Sequence, residues 1–507
     1  MNRLDTVIDS RTGNEATLPD AIKTSQPLSG WLFTPKNDTL PAINPEEISQ
    51  MADMDYQTLA LNILSRFDLW ISQEELKEAI GQAYGDQWYS KDITPVTPLW
   101  KGTNLHSLHL GMWPTFAFKN VALELVPRII GKLSKGKQLT AIGASSGDTI
   151  NAAHFWVDGT NIDSVFLLPY EGPSEVQTLQ ATSSRIKNAI TILIKWDFDT
   201  AQAHIKTFNG PEYADFKEKH NTLSFNSIQI LRIISQIVYY FRAYSQLIQQ
   251  GVIQNGDPID FSVPSGNFGD ALAGFYAREM GLPIRKINIA TNENDILHRF
   301  LKTGIYEPVR KEDGTRADAV KTMAPSQDIT VSSNFERVLF WACNDAGKIQ
   351  KWMDDLKKTG KFEADTETLT KLKTVFTSSS TNDEWIRAMQ IQVWKEHGKI
   401  IDPHTATGVF PYAVRKPDVP TVFLETAHPI QFPASKYLQG SGVPDFESWA
   451  KEHGNDNDQA MVEYVNSLRA YTPVEGEDYL VSWPTEAEVF ATIQKALTIL
   501  EARKKAA

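Results

Sequence analysis

The run Ile259-Asp260-Phe261-Ser262-Val263 stops at Pro264, passes through Ser265-Gly266-Asn267-Phe268-Gly269-Asp270, and enters the helix-like pattern Ala271-Leu272-Ala273-Gly274-Phe275-Tyr276-Ala277. Strand, glycine-bearing loop and helix in immediate succession form one unit of an alternating fold. The same scheme recurs. Leu139-Thr140-Ala141-Ile142 and Ser164-Val165-Phe166-Leu167-Leu168 read as buried strands around a helix over residues 150–157. A strand over 284–289 and a helix over 294–302 follow the glycine loop. Such alternation predicts an α/β fold with mostly parallel sheets. Residues 45–85 read as helical, with Asn44-Pro45-Glu46-Glu47 as an N-terminal cap, and Asp92-Ile93-Thr94-Pro95-Val96-Thr97-Pro98 marks a boundary. Residues 340–400 read as a charged helical layer added to the core. A chain of 507 residues exceeds one ordinary core, so two or three domains are expected.

The loop carries chemistry as well as topology. Glycines let a backbone approach a ligand closely, and the first amides of a helix point outward unpaired, which makes a phosphate cradle. Upstream lies Phe116-Ala117-Phe118-Lys119, at the start of the helix pattern Val121-Ala122-Leu123-Glu124-Leu125. A cation at a helix start is disfavoured by the dipole, and flanking phenylalanines would desolvate the amine, which suits a lysine that forms an imine. By itself Lys119 reads first as a surface lysine on an amphipathic helix. Taken with the loop it suggests a pyridoxal-phosphate (PLP) site, with one element for the phosphate and one amine for the aldehyde.

Three further stretches are candidates. Ser145, Ser146, Gly147, Asp148 and Thr149 lie between a strand and a helix, where hydroxyls and amides suit a substrate carboxylate or simply cap the helix. In Asp402-Pro403-His404-Thr405, the histidine is expected to serve a turn rather than acid–base chemistry. Thr426, in Glu425-Thr426-Ala427-His428-Pro429, ends a strand, where α/β folds place ligand contacts.

Composition narrows the function classes. Apolar residues make up 41% and charged residues 22%, a globular balance. A net charge of −12 argues against a nucleic-acid or anionic-membrane partner. The single cysteine, Cys343, allows no disulfide within the chain and no Cys-based metal site; no metal is expected, and a reducing cytoplasm is. The N-terminal residues carry no apolar signal-like run. The apolar stretch 228–244 contains Arg232, Gln236 and Arg242, so a buried helix is expected there rather than a membrane span.

In combination these stretches resemble the threonine synthase family, in the long form of bacteria and fungi, in order over most of the chain. The stretch 262–270 through 290–295 is very close to the family pattern, as are Val331-Ser332-Ser333-Asn334-Phe335-Glu336-Arg337 and Gln236-Ile237-Val238-Tyr239-Tyr240-Phe241. The resemblance implies a fold-type-II PLP enzyme, related to tryptophan synthase β, with the cofactor between two α/β lobes. It implies a mainly helical N-terminal domain over 1–92, a large PLP-binding domain over 93–136 and 216–507 with a helical insertion near 340–400, and a small α/β lobe over 137–215. Lys119 matches the Schiff-base lysine. Gly266, Asn267, Phe268, Gly269 and Asp270 match the cofactor loop, and Thr426 matches the hydroxyl at the pyridine nitrogen. Ser145, Ser146, Gly147, Asp148, Thr149 and Arg232 match substrate-binding positions. The implied activity is that of a carbon–oxygen lyase acting on a phosphate ester: O-phosphohomoserine loses phosphate from Cγ, and water adds at Cβ to give threonine. A small amino acid is the expected partner, in a monomer or homodimer.

The chain departs from the family pattern at several positions. Met112-Trp113 replaces His-Gly, Asn120 replaces Asp, and Asn226-Ser227-Ile228-Gln229 ends in Gln rather than Asn. Ser145 replaces the first Thr and Ile150 the last Gly of Thr-Ser-Gly-Asp-Thr-Gly; Ala324-Pro325-Ser326-Gln327 replaces Ser-Pro-Ser-Met. Glu425 replaces Ser, and Ile430-Gln431 replaces Ala-Lys. A lysine lost at 431 and a glutamate gained at 425 would make an anion pocket less positive, at about 1.5–3 kcal/mol for each charged contact. Weaker use of O-phosphohomoserine is the resulting expectation. The alternatives are a specialised paralogue acting on another amino acid or a phosphonate, or a non-catalytic PLP-binding relative.

Overall fold

The computed structural model describes residues 3–27, 32–100, 102–145, 147–171, 173–196, 198–208, 211–223, 228–412 and 417–506, with the side chains of 148, 149, 198, 199, 202, 206, 211 and 435 outside that description. The strand Ile259–Pro264 is buried along its whole length because it is central in a six-stranded sheet. From edge to edge the strands are Phe376–Ser380, Ile284–Thr291, Ile259–Pro264, Thr421–Glu425, Leu105–His109 and Val96–Pro98. Every neighbouring pair is parallel except the last. Parallel pairing brings the C-terminal ends of Leu105–His109, Thr421–Glu425 and Ile259–Pro264 to one edge. The loops that carry Lys119, Thr426 and Gly266 leave from those three ends.

A second sheet of five parallel strands runs Tyr479–Ser482, Ala189–Ile194, Ile162–Pro169, Leu139–Ala144 and Thr222–Leu223. Its strands Ile162–Pro169 and Ala189–Ile194 are buried at every position, as strands covered on both faces are. The boundary expected at 215 does not follow this sheet. The strands 222–223 and 479–482 complete it, and the C-terminal helix Glu486–Ala506 packs on it. A sequence break cannot reveal this, because parallel pairing joins strands distant in the chain.

The helix Ile230–Gln249 is buried over nearly its whole surface, as its all-round apolar pattern requires. Among the described residues no helix is long and apolar enough to cross a membrane. The N-terminal region carries the expected helices Pro45–Met51, Tyr56–Leu64 and Gln73–Ala83, and Asn44 caps the first in a capping box with Glu47. It also holds a three-stranded antiparallel sheet, Glu15–Thr17, Thr6–Asp9 and Phe33–Thr34, which the helical expectation omitted. Buried side-chain pairings join this region to the rest, among them the following two. Arg11 binds Glu336 at 2.6 Å, and the Arg337 guanidinium donates to the Phe33 carbonyl at 2.7 Å.

The segment 340–400 is helical at Ala346–Thr359, Thr366–Val375 and Asp383–His397, as expected. It is more than an added layer, however. Phe376–Ser380 lies inside it and forms the edge strand of the main sheet. Phe-Thr-Ser-Ser-Ser has no apolar alternation to announce a strand; its position beside Ile284–Thr291 makes it one.

Candidate active site

Lys119 is the first residue of the helix Lys119–Leu123 and follows directly on the loop from Leu105–His109. The Phe118 amide donates to the Thr426 carbonyl at 2.8 Å, and the His428 amide donates to the Phe116 carbonyl at 2.8 Å. Ala117 and Ala427 thereby form an isolated antiparallel bridge. Main-chain bonds thus hold the lysine loop against residues 426–428. Lys119 is half-buried, with Nζ 5.4 Å from the centroid of the Phe118 ring. Thr426 is buried, and its hydroxyl makes no hydrogen bond among the described residues.

The glycine loop lies at the end of the neighbouring strand. Phe268 stands as N-cap of the helix Gly269–Glu279 in the left-handed conformation, φ 64°, and no side chain caps that helix. Its first amides therefore remain available, at the positive end of the helix dipole. Ser265 Oγ is buried and has no hydrogen-bond partner among the described residues. A Cβ on Gly266 would lie 2.8 Å from Ile329 Cγ1 and 3.2 Å from Gln327 Cα, so residues 326–329 cross too closely for any side chain. The Asn267 carbonyl accepts from the amide and from Nδ2 of Asn334, each at 3.1 Å. Asn334 Oδ1 in turn accepts from Arg337, whose Nη2 reaches the Ile228 carbonyl at 2.6 Å. This network ties the loop to the start of the helix Ile230–Gln249.

Asp270 does not face the loop as the family match leads one to expect. Its Oδ1 accepts from the hydroxyls of Tyr239 and Tyr240, which turns the side chain into the helix Ile230–Gln249. Burial pushes its carboxyl up to about 6, against the two hydroxyl bonds. A carboxylate aimed at a phosphate would oppose binding, and this geometry avoids that. Tyr239-Tyr240 belonged to the sequence match, but their bond to Asp270 is a long-range contact.

Around residues 145–149 the structure favours capping for one member. Ser145 Oγ accepts from the amides of Gly147 and Ile150, each at 3.1 Å. Gly147 has φ 146°, and a Cβ there would lie 2.7 Å from the Gln177 amide carbon, so only glycine fits. Ser146 lies outside the described residues, as do the side chains of Asp148 and Thr149, whose backbone opens the helix Asp148–Val157. Asn226 and Ser227 also lie outside them.

Arg232 sits in the first turn of Ile230–Gln249, 6% exposed. Among the described residues it has no carboxylate partner, and no hydrogen bond to its guanidinium is formed. Burial pushes it down to about 10, so it remains a cation at neutral pH. A buried cation without a counter-charge is costly unless an anion joins it.

The departures from the family pattern turn out to be engaged elsewhere. Trp113 packs on Trp88, ring centroids 5.1 Å apart, in the contact with the N-terminal region. Glu425 pairs with His109 at 2.6 Å; burial raises its carboxyl, but the attraction and hydrogen bond of its contact with His109 outweigh that and hold it at about 2. Gln431 is fully buried and donates to the Thr115 carbonyl. His404 is structural, with Nδ1 on Asp402 at 2.8 Å and Nε2 accepting from the Ser326 amide at 3.1 Å.

PLP fits these residues. Uncapped helix amides and the orphaned Ser265 hydroxyl suit its phosphate, Lys119 suits its aldehyde, and the unengaged Thr426 hydroxyl suits its ring nitrogen. No group of His, Cys, Asp and Glu among the described residues could hold a metal ion.

Comparison with known proteins agrees with this geometry. Residues 11–84 match the family model for the threonine synthase N terminus. The chain is 36% identical to threonine synthase of Saccharomyces cerevisiae over 442 residues, covering 80% of this chain and 82% of the relative. It superposes on the crystal structure of threonine synthase from yeast with a TM-score of 0.86 at 29% identity, over 98% of this chain and 100% of the other. It superposes on PLP-bound threonine synthase from Brucella melitensis with a TM-score of 0.84 at 29% identity, over 97% and 99% of the two chains. Sheet order, lysine loop and glycine loop therefore converge on one answer, and the chain belongs to the threonine synthase family of fold-type-II, PLP-dependent lyases.

Proposed function

We propose that this protein converts O-phosphohomoserine and water to threonine and phosphate. The observation that carries the reading is Arg232, a buried cation without an acidic partner among the described residues. A substrate phosphate would supply its missing charge. The positions that raised doubt about this substrate, Trp113, Glu425 and Gln431, each have a protein partner of their own, so they do not argue for another ligand.

In this reading the chain's residues divide the work. PLP, when bound, supplies the electron withdrawal that acidifies the substrate Cα. Lys119, at the start of a short helix beside Phe118, takes protons from Cα and Cβ and returns one to Cγ, which becomes the methyl group once phosphate has left. Backbone amides of residues 148 and 149 receive the substrate carboxylate at a helix N-terminus, where Ser145 fixes the turn by accepting from the Gly147 and Ile150 amides. The Thr426 hydroxyl would hold the ring nitrogen as a neutral partner, one that does not require it to be protonated. Arg232 holds the phosphate that leaves from Cγ before water adds at Cβ.

The test is a substrate scan on the purified, PLP-loaded protein. O-phosphohomoserine should give phosphate and threonine in equal amounts, with O-phosphoserine and O-acetylhomoserine far poorer in kcat/KM. Turnover of either analogue at a comparable rate, or none of O-phosphohomoserine, would contradict the proposal.

A further inference from the structure

A relay of buried side chains links the lysine loop, which leaves the six-stranded sheet, to the turn at 145–149, which leaves the five-stranded one. Gln180 stands on the helix Glu175–Ser183, which follows the strand Ile162–Pro169. Its Nε2 donates to the carbonyl of Pro114, in the lysine loop between Leu105–His109 and Lys119. Its Oε1 accepts from Asn151 Nδ2 at 3.0 Å. Asn151 stands on Asp148–Val157, the helix whose first amides are the proposed carboxylate site, and its own amide donates to the Gly147 carbonyl at 3.4 Å. Gln180 and Asn151 are both fully buried.

The direction of the relay follows from its chemistry. A main-chain carbonyl only accepts, so the Gln180 amide turns Nε2 to Pro114 and Oε1 to Asn151. Asn151 must then offer Nδ2, and its Oδ1 is left without a partner among the described residues. An open acceptor in the interior is costly, and this one lies on the helix that carries the proposed carboxylate amides. Two packing relationships accompany the relay. Gln177, one turn before Gln180, is the side chain that a Cβ on Gly147 would strike, and Val176 shares a hydrophobic cluster with Phe116. The helix Glu175–Ser183 thus meets both the carboxylate turn and the lysine loop.

We propose that Gln180 is a positioning residue that couples the carboxylate site to Lys119. Through the Pro114 carbonyl it sets the lysine loop, and through Asn151 it makes that placement depend on the carboxylate turn. The proposal rests on the assignment of Lys119 to the cofactor and of residues 148 and 149 to the substrate carboxylate.

The experiment is a double-mutant cycle on the PLP-loaded protein with Asn151→Ala, Gln180→Met and both together. Three quantities are read: visible circular dichroism of bound PLP without substrate, which reports how the cofactor and its lysine are held; kcat for O-phosphohomoserine; and thermal stability. Each single variant should change the dichroism per bound PLP and lower kcat about tenfold. The double should stay within about twofold of Gln180→Met, because both changes cut one relay. Lowered stability in Asn151→Ala with dichroism and kcat unchanged would make the pair structural and overturn the proposal. Losses in kcat that multiply in the double variant would overturn the relay. Where Gln180→Met fails to fold, Asn151→Ala decides by its dichroism, since it reaches the lysine loop through Gln180. A parent protein without turnover of O-phosphohomoserine, but with the same non-additive dichroism across the cycle, would overturn the proposed reaction and leave the relay standing.

Discussion

The main-chain amide of Phe118 donates to the carbonyl of Thr426 at 2.8 Å, so the residue before the candidate lysine is bonded to the residue that carries the candidate ring-nitrogen hydroxyl. The strands Leu105–His109 and Thr421–Glu425 pair in parallel directly beneath this bond, with His109 opposite Glu425. The spacing of the two functional groups is therefore set by backbone. Side-chain substitution at either position should leave the other in place.

Thr426→Val tests that separation. The variant should keep PLP bound, because the backbone bond and side-chain shape persist. Its kcat should fall by about 2- to 10-fold, the effect of losing one neutral hydrogen bond of about 0.5–1.5 kcal/mol at the reacting cofactor. PLP occupancy and steady-state turnover, measured together, check it; loss of the cofactor itself would mean that the hydroxyl serves binding.

Arg232→Met should separate stability from substrate affinity. Removing a buried cation that has no acidic partner should leave the ligand-free protein as stable as before, or more so. KM for a phosphorylated substrate should rise at least about tenfold, the effect of one lost charged contact. Denaturant unfolding beside kinetics distinguishes this from a structural arginine, whose loss would lower stability and leave KM alone.

Gly147→Ala should distort the turn before Asp148–Val157. A φ of 146° is one that side chains avoid, and the new Cβ would press on Gln177. A stability loss of about 1–3 kcal/mol is expected. KM should rise as well, because this turn sets the amides of residues 148 and 149, the proposed carboxylate site. Unchanged unfolding would show that the turn relaxes without cost.

Asp270 gives the protein a pH-dependent stability term. Burial raises its folded-state midpoint to about 6, above the unfolded value of about 3.9, so the fold favours the protonated form. The stability it contributes is full below about pH 4 and is lost as pH rises through about 6, a fall of order 2–3 kcal/mol. Asp270→Asn keeps an acceptor for Tyr239 and Tyr240 and cannot ionise. Its stability should fall less than the parent's between pH 4 and 6.5 in parallel urea titrations.

The sequence carried the α/β alternation and the strand–loop–helix unit at 259–277 because strong apolar runs and glycines mark buried strands and tight turns. Lys119 and the glycine loop stood out as candidates for the same reason, since their settings are local. What it could not carry was partnership across the chain. Glu425 looked like a charge added to an anion pocket until His109, opposite it in the neighbouring strand, accounted for it. Asp270 looked like a loop residue until Tyr239 and Tyr240 claimed its carboxylate. The edge strand Phe376–Ser380 was hidden because its residues are polar and its pairing lies with Ile284–Thr291. Each of these was missed where the deciding contact is long-range.

The gathering of the lysine loop, the glycine loop and Thr426 around one cofactor is tested most directly by borohydride reduction of the PLP-loaded protein, followed by peptide mapping. Reduction should fix one PLP per chain on the peptide that contains Lys119. A label on any other lysine, or no label on folded, PLP-saturated protein, would contradict it.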